Sequence, residues 1–262
     1  MLTDERRAAL FLSRNLFMAL QGRLLNEAAH TKQCHERWRV VCTQCIEQWH
    51  GLLRETEGDE VHTYLQPAVL ALINNHVALK SSALIAGAAE LMCTLFHCRE
   101  RDFGDEALAR THRALLVQLL QDKPHTSAVL VAFFDRVRQS HLAWALHLLQ
   151  HIVAAIKTCD RAARKNRKDS ATPLVTFIKE CCERDIRAVT LFADDLLAMY
   201  TTAASPTRRA LVDVLLALEH DWSLVLTLLR DSDVHIRARA VAAAVTFDAT
   251  LTDRLVSEMS AA

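Results

Sequence analysis

The stretch Leu226–Phe247, LTLLRDSDVHIRARAVAAAVTF, decides the fold of this chain. It begins apolar, breaks at a polar turn, Asp231-Ser232-Asp233, and resumes with Ile236, Ala240, Ala244 and Phe247 at helical spacing. Side chains three and four residues apart share one helix face. The face here is almost all alanine and valine, which lets a neighbouring helix approach closely. The segment therefore predicts two helices joined by a tight turn, a hairpin suited to stacking on further hairpins.

The remainder of the chain is consistent with that unit. Of 262 residues, five are glycine and four proline, far too few turn residues for a β-rich protein of this length. The prolines serve as punctuation: Thr172-Pro173 and Ser205-Pro206 each place a capping hydroxyl directly before a proline at the first helical position. Gln66-Pro67 and Lys123-Pro124 also precede apolar-periodic runs. The pattern predicts an all-α fold of about 12–13 helices, over 3–29, 32–56, 61–76, 79–98, 104–121, 125–139, 141–159, 173–183, 185–201, 206–219, 221–230, 233–247 and 249–260. Short connections make successive helices antiparallel. The stripes Leu115, Leu116, Leu119, Leu120 and Leu142, Leu146, Leu149, Val153 lack the sustained heptads of a coiled coil. Residues 1–262 read as a single helical repeat domain, with a sub-boundary expected at 160–171.

Half the chain is apolar and its formal charge is zero, which excludes a disordered chain and a generically polyanion-seeking one. No uninterrupted apolar run approaches a membrane span, so no membrane partner is expected. The N-terminus MLTDERRAAL has no signal-peptide layout, and Asp4 and Glu5 disfavour a transit peptide despite Arg6, Arg7, Arg14 and Arg23. The expectation is an intracellular protein, cytoplasmic or nuclear, whose eight cysteines are reduced thiols.

Internal similarity points to stacking. Ile236-Arg237 opens a helix continuing through Ala240 and Ala244; Ile186-Arg187 precedes Thr190 and Asp194; Leu79-Lys80 precedes Ala83, Gly87 and Leu91. Leu228-Leu229-Arg230-Asp231, Ile236-Arg237, then Ala240, Ala243 and Val245 together resemble the HEAT repeat, in the wider HEAT/armadillo class. The resemblance implies an α-solenoid of antiparallel hairpins. It also implies that Asp231 and Arg237 are the turn and ladder residues, whose hydrogen bonds bridge adjacent repeats.

Chemistry-bearing clusters are sparse. His30, Cys34, His35, Cys42, Cys45 and His50 form the densest set of potential metal ligands, and Cys34, Cys42, Cys45 and His50 are the zinc alternative. However, VVCTQCIEQW has no Gly or Pro to make a knuckle. Cys42, Cys45 and Trp49 fall on one helix face at core spacing, so no metal is assigned. Cys181-Cys182 and Asp194-Asp195 are helix neighbours that diverge, and no phosphate-binding glycine loop or nucleophile elbow exists. No cofactor and no catalytic residue is expected; a HEAT-like DNA glycosylase is disfavoured by balanced charge and few aromatics.

One charge asymmetry remains. Residues 121–180 hold ten Lys+Arg against five Asp+Glu, whereas 181–262 hold eight against twelve. The excess lies in Lys157, Arg161, Arg164, Lys165, Arg167 and Lys168, around a loop expected before Thr172-Pro173. These bases suit phosphates or an acidic partner, by an attraction that salt weakens. The primary expectation is a non-catalytic protein-interaction scaffold or adaptor subunit of a larger complex, binding a partner helix or extended peptide. The alternative is a nucleic-acid-binding HEAT-like protein using the 157–168 segment.

Overall fold

Long runs of Ala, Leu, Arg, Lys and Glu without internal breakers favour helix, and helix is what the chain adopts. A computed structural model describes residues 4–26, 32–55, 59–74, 81–95, 106–166, 171–218 and 222–245. The helices are α1 (Asp4–Asn26), α2 (Lys32–Glu55), α3 (Asp59–Ile73), α4 (Ser82–Leu95), α5 (Glu106–Asp122), α6 (Ser127–Ser140) and α7 (Leu142–Asn166). They continue with α8 (Thr172–Arg184), α9 (Ile186–Thr190), α10 (Ala193–Thr202), α11 (Ser205–Leu218), α12 (Trp222–Leu229) and α13 (residues 234–245). A 3-10 turn at Pro124–Thr126 precedes α6, and no strand occurs among the described residues. The fold is all-α. The helix expected at 249–260 lies outside the described residues.

The chain divides into two compact units, Met1–Leu148 and Leu149–Ala262, with the division inside α7, upstream of the expected sub-boundary. In the first unit α1 packs on α2 and α3, α3 on α4, and α4 against both α2 and α6. Gly87 permits the α2–α4 approach: a Cβ there would stand 3.1 Å from Ile46 Cγ2. The α1–α2 hairpin is locked by aromatic rings. Phe17 stacks on Trp38 at 5.5 Å and meets Trp49 edge-on at 5.2 Å between centroids, and all three are buried. Pro67 sits inside α3, where a missing N–H costs roughly 3 kcal/mol. Leu65, Ala68, Val69, Leu72 and Ile73, all buried in the same helix, offset that cost.

In the second unit α11 is the hub, packing on α8, α9, α10 and α12. Its core comprises Leu174, Phe177, Ile178, Leu196, Leu211, Val212, Val214 and Leu215. The single helix expected at 185–201 is two. The turn at Leu191-Phe192 ends α9, and α10 restarts with Asp194 and Asp195 in its first turn, where negative charge is favoured. The expected caps also differ. Thr172 and Ser205 are each the first helical residue rather than the cap; Ala171 is the N-cap of α8 and makes no side-chain cap bond.

Helix α7 extends seven residues beyond its expected end at 159, because Arg161-Ala162-Ala163-Arg164-Lys165 are strong helix formers with no breaker among them. Among the described residues one helical segment, Leu142–Asp160, is long and apolar enough to cross a membrane. His147, Gln150, His151 and Lys157 interrupt it. Its buried residues, Ala145, Leu148, Leu149, Ile152, Val153 and Ile156, recur at steps of three and four, the pattern of a helix facing a protein core.

Candidate functional site

The turn at 231–233 is built by its own carboxylates. Asp231 Oδ1 accepts from the Asp233 amide at 2.8 Å, which closes the turn. Asp233 is the cap of α13, its Oδ1 accepting from the His235 amide at 2.9 Å. Arg237 then reaches back from α13: Nη1 donates to the carbonyls of Asp231 at 2.8 Å and Ser232 at 3.0 Å. Arg237 thus fastens the turn to its own helix.

The bonds that cross from one hairpin to the other come from different residues. The Tyr200 hydroxyl on α10 donates to Asp231 Oδ2, and Arg208 Nη2 on α11 donates to Asp231 Oδ1 at 3.2 Å. Arg209 Nε and the Ser205 hydroxyl both donate to Asp233 Oδ2. Arg208 also donates to the Ala203 carbonyl at 3.3 Å, binding the α10–α11 connection into the same cluster. Asp160 on α7 reaches that connection from the other side, accepting from the Ala204 amide at 2.9 Å while buried.

The electrostatics follow the bonding. Burial pushes the Asp231 carboxyl's pKa up. The Tyr200 hydroxyl, the Asp233 amide and Arg208 outweigh it and hold the group below its ordinary value. The Ser205 hydroxyl, then Arg209, hold Asp233 well below the usual carboxylate range. Burial, then the bond to Asp231, raises Tyr200 far above an ordinary phenol. At neutral pH the cluster is therefore two carboxylates, two guanidiniums and two neutral hydroxyls, each acid held by one hydroxyl, one guanidinium and one backbone amide.

A second pattern lies on the exposed helix faces. Glu90 on α4 receives Arg54 of α2 at 3.3 Å and Arg136 of α6, with His50 Nε2 of α2 at 3.6 Å. In the other unit Asp213 on α11 receives Lys179 of α8 at 2.9 Å and stands 3.7 Å from Arg239 of α13. Each ladder is base–acid–base across three helices taken two apart in chain order, except where the short α9 intervenes. The bases are more exposed than the acids: 57% and 44% against 32% in the first, 40% and 66% against 25% in the second. Both faces therefore present positive charge outward over a recessed carboxylate.

The basic segment is placed only in part. Lys157 pairs with Asp195 of α10 at 2.8 Å. Arg161, Arg164 and Lys165 lie on the α7 backbone rather than a loop, so 157, 161, 164 and 165 recur at one-face helical spacing. Arg167 and Lys168 fall outside the described residues. For the zinc alternative, Cys42, Cys45 and Trp49 share a buried face of α2. Burial, with Cys45 adding to it, pushes the Cys42 thiol up to about 12, and burial pushes Cys45 to about 11. His50 instead faces Glu90, and burial followed by Arg54 lowers its pKa. The Cys34 side chain lies outside the described set. Among the described residues no three His, Cys, Asp or Glu side chains are grouped to hold a metal ion.

Sequence reading singled out Asp231 and Arg237, and Ser205 only as a helix cap, but not Tyr200, Arg208, Arg209, Glu90 or Asp213. A signal for two of these exists. Arg208-Arg209 sits near the start of α11, where basic charge opposes the helix dipole, so an external acid is needed to hold it there. No protein-family model, no curated protein and no solved structure matches the chain.

Proposed function

We propose that both units are HEAT/armadillo-like stacks of helical hairpins and that the protein is a non-catalytic interaction scaffold or adaptor. The observation that supports this is the ladder geometry. In a closed bundle, helices two apart in sequence face each other across the core. Here Arg54, Glu90 and Arg136 meet on an exposed surface formed by α2, α4 and α6. Alternate helices share a surface when each hairpin stacks on the one before it in the same orientation. Such a surface takes a partner helix or extended peptide, and its outward bases favour an acidic one.

Affinity capture with the folded chain, followed by mass spectrometry, tests this reading. Stoichiometric protein partners are expected, and they are lost in Arg54→Glu/Arg136→Glu while thermal unfolding stays cooperative. Capture of no protein, or a partner set unchanged by both substitutions and by Lys179→Glu/Arg239→Glu, overturns it. Salt-sensitive retention of DNA or RNA alone assigns the chain instead to nucleic-acid binding through 157–168.

A further inference from the structure

The segment Ser205-Pro206-Thr207-Arg208-Arg209 has a serine before proline and bases at the third and fourth following positions. That is the substrate pattern of proline-directed, base-preferring protein kinases. Its place in the fold gives the pattern a consequence. Ser205 is half-buried at the start of α11, and its hydroxyl donates to Asp233. Arg209 holds the same carboxylate, and Arg208 holds Asp231. We propose that Ser205 is a phosphorylation site and that its phosphate unfastens the α12–α13 hairpin from α11, a regulation independent of the scaffold reading.

The step is phosphoryl transfer from ATP, supplied by a protein kinase of that class. The bond from Ser205 Oγ to the γ-phosphorus forms, and the bond from that phosphorus to the β,γ-bridging oxygen breaks. ADP leaves with the electron pair, and the hydroxyl proton passes to the kinase's catalytic carboxylate. The product lacks the O–H that Asp233 accepted, and it adds a charge of about −2 and three acceptor oxygens. Asp233 and Asp231 then face an anion where a donor and two guanidiniums had been. Arg208 and Arg209, three and four residues along the same helix, are drawn to the phosphate instead. Contacts that joined two hairpins become contacts within one helix, so α11 keeps its start while α12–α13 keeps only the Tyr200 bond and its apolar packing.

Two internal controls are built in. Thr172-Pro173 has Val175 and Thr176 at the third and fourth following positions, neither of them a base, and Thr207 is 3% exposed. Kinases of this class take their target extended, so the first turn of α11 must open. Asp233 holds it closed, and Asp233→Asn is therefore expected to speed the modification.

The experiment treats the folded chain with magnesium-ATP and a proline-directed kinase, then maps phosphate by mass spectrometry and amide hydrogen exchange by segment. One phosphate is expected, at Ser205, absent in Ser205→Ala and unchanged in Thr172→Ala. Amides of 222–245 are expected to exchange at least tenfold faster after modification, while those of 211–218 hold. Ser205→Ala, which loses the bond without adding charge, accelerates 222–245 less. No modification of the chain, whether or not a peptide of residues 200–212 is modified, overturns the proposal. So does phosphorylated Ser205 with exchange in 222–245 no faster than in Ser205→Ala.

Discussion

The α1–α2 hairpin and the α11–α13 region both bury apolar side chains but are braced by different means. The first is closed by Phe17, Trp38 and Trp49, and Trp49 Nε1 also donates to Ser13 Oγ at 3.2 Å. The second buries Leu224, Val225, Leu228, Ile236 and Ala240 and adds a brace of carboxylates, guanidiniums and hydroxyls, with Asp231 and Asp233 at its centre. Ring packing is indifferent to pH and to added charge. A charged brace is conditional, because changing one proton or one phosphate rewrites several bonds at once.

Breaking the aromatic lock has the largest expected effect. Trp49 is fully buried, and Trp49→Ala should cost about 3–5 kcal/mol in urea denaturation. A cost no greater than that of Ser13→Ala would show that the rings are not what closes the hairpin. On the other side, Tyr200→Phe removes a hydrogen bond to a charged acceptor, a loss of about 1.5–3 kcal/mol. Its effect should appear as faster amide exchange in 222–245 and leave the α1–α2 hairpin untouched. Equal acceleration in both regions would dissolve the distinction.

Acid separates the two regions without mutation. Asp231 and Asp233 have folded pKa values below the ordinary 3.8. The stability they contribute is therefore complete above that value and lost as pH falls through their depressed folded values. Exchange in 222–245 should rise below pH 4, beyond the change in intrinsic rate, while protection of the amides of 38–53, around Trp38 and Trp49, holds over the same step. Protection lost first in 38–53 on acidification would contradict the assignment.

How far the sequence was legible follows the same division. Apolar periodicity placed the helices because burial is read directly from spacing: Cys42, Cys45 and Trp49 at steps of three and four are all in the core. The 231–233 turn was legible because Asp-Ser-Asp between apolar runs is local chemistry. The partners of that turn were not, since Arg208 and Tyr200 lie 23 and 31 residues away. Long-range polar pairing leaves no periodic trace. The break at Leu191-Phe192 was hidden for another reason: neither residue is a glycine or proline, so the sequence carries no breaker there. The basic run misled in the opposite sense, because a charge-rich segment without large apolar residues resembles a loop although Arg, Lys and Ala extend a helix well.

Two smaller effects sharpen the comparison further. Arg237, half-buried with two carbonyl partners, should cost about 1–2 kcal/mol as Arg237→Ala. Arg239→Ala, exposed and 3.7 Å from Asp213, should cost less than half of that in the same thermal unfolding assay. Equal costs would remove Arg237 from the turn's support. Glu90→Gln is the smallest. Its pairs with Arg54 and Arg136 are solvent-exposed, so the loss is about 0–1 kcal/mol at low salt and fades by 1 M, where screening acts within about 3 Å. The Tyr200→Phe loss should persist at that salt, because its bond is part-buried and does not depend on long-range attraction. If both losses fade together, the brace is no more than a second surface ladder, and the charge on Asp231 is screened as freely as that on Glu90.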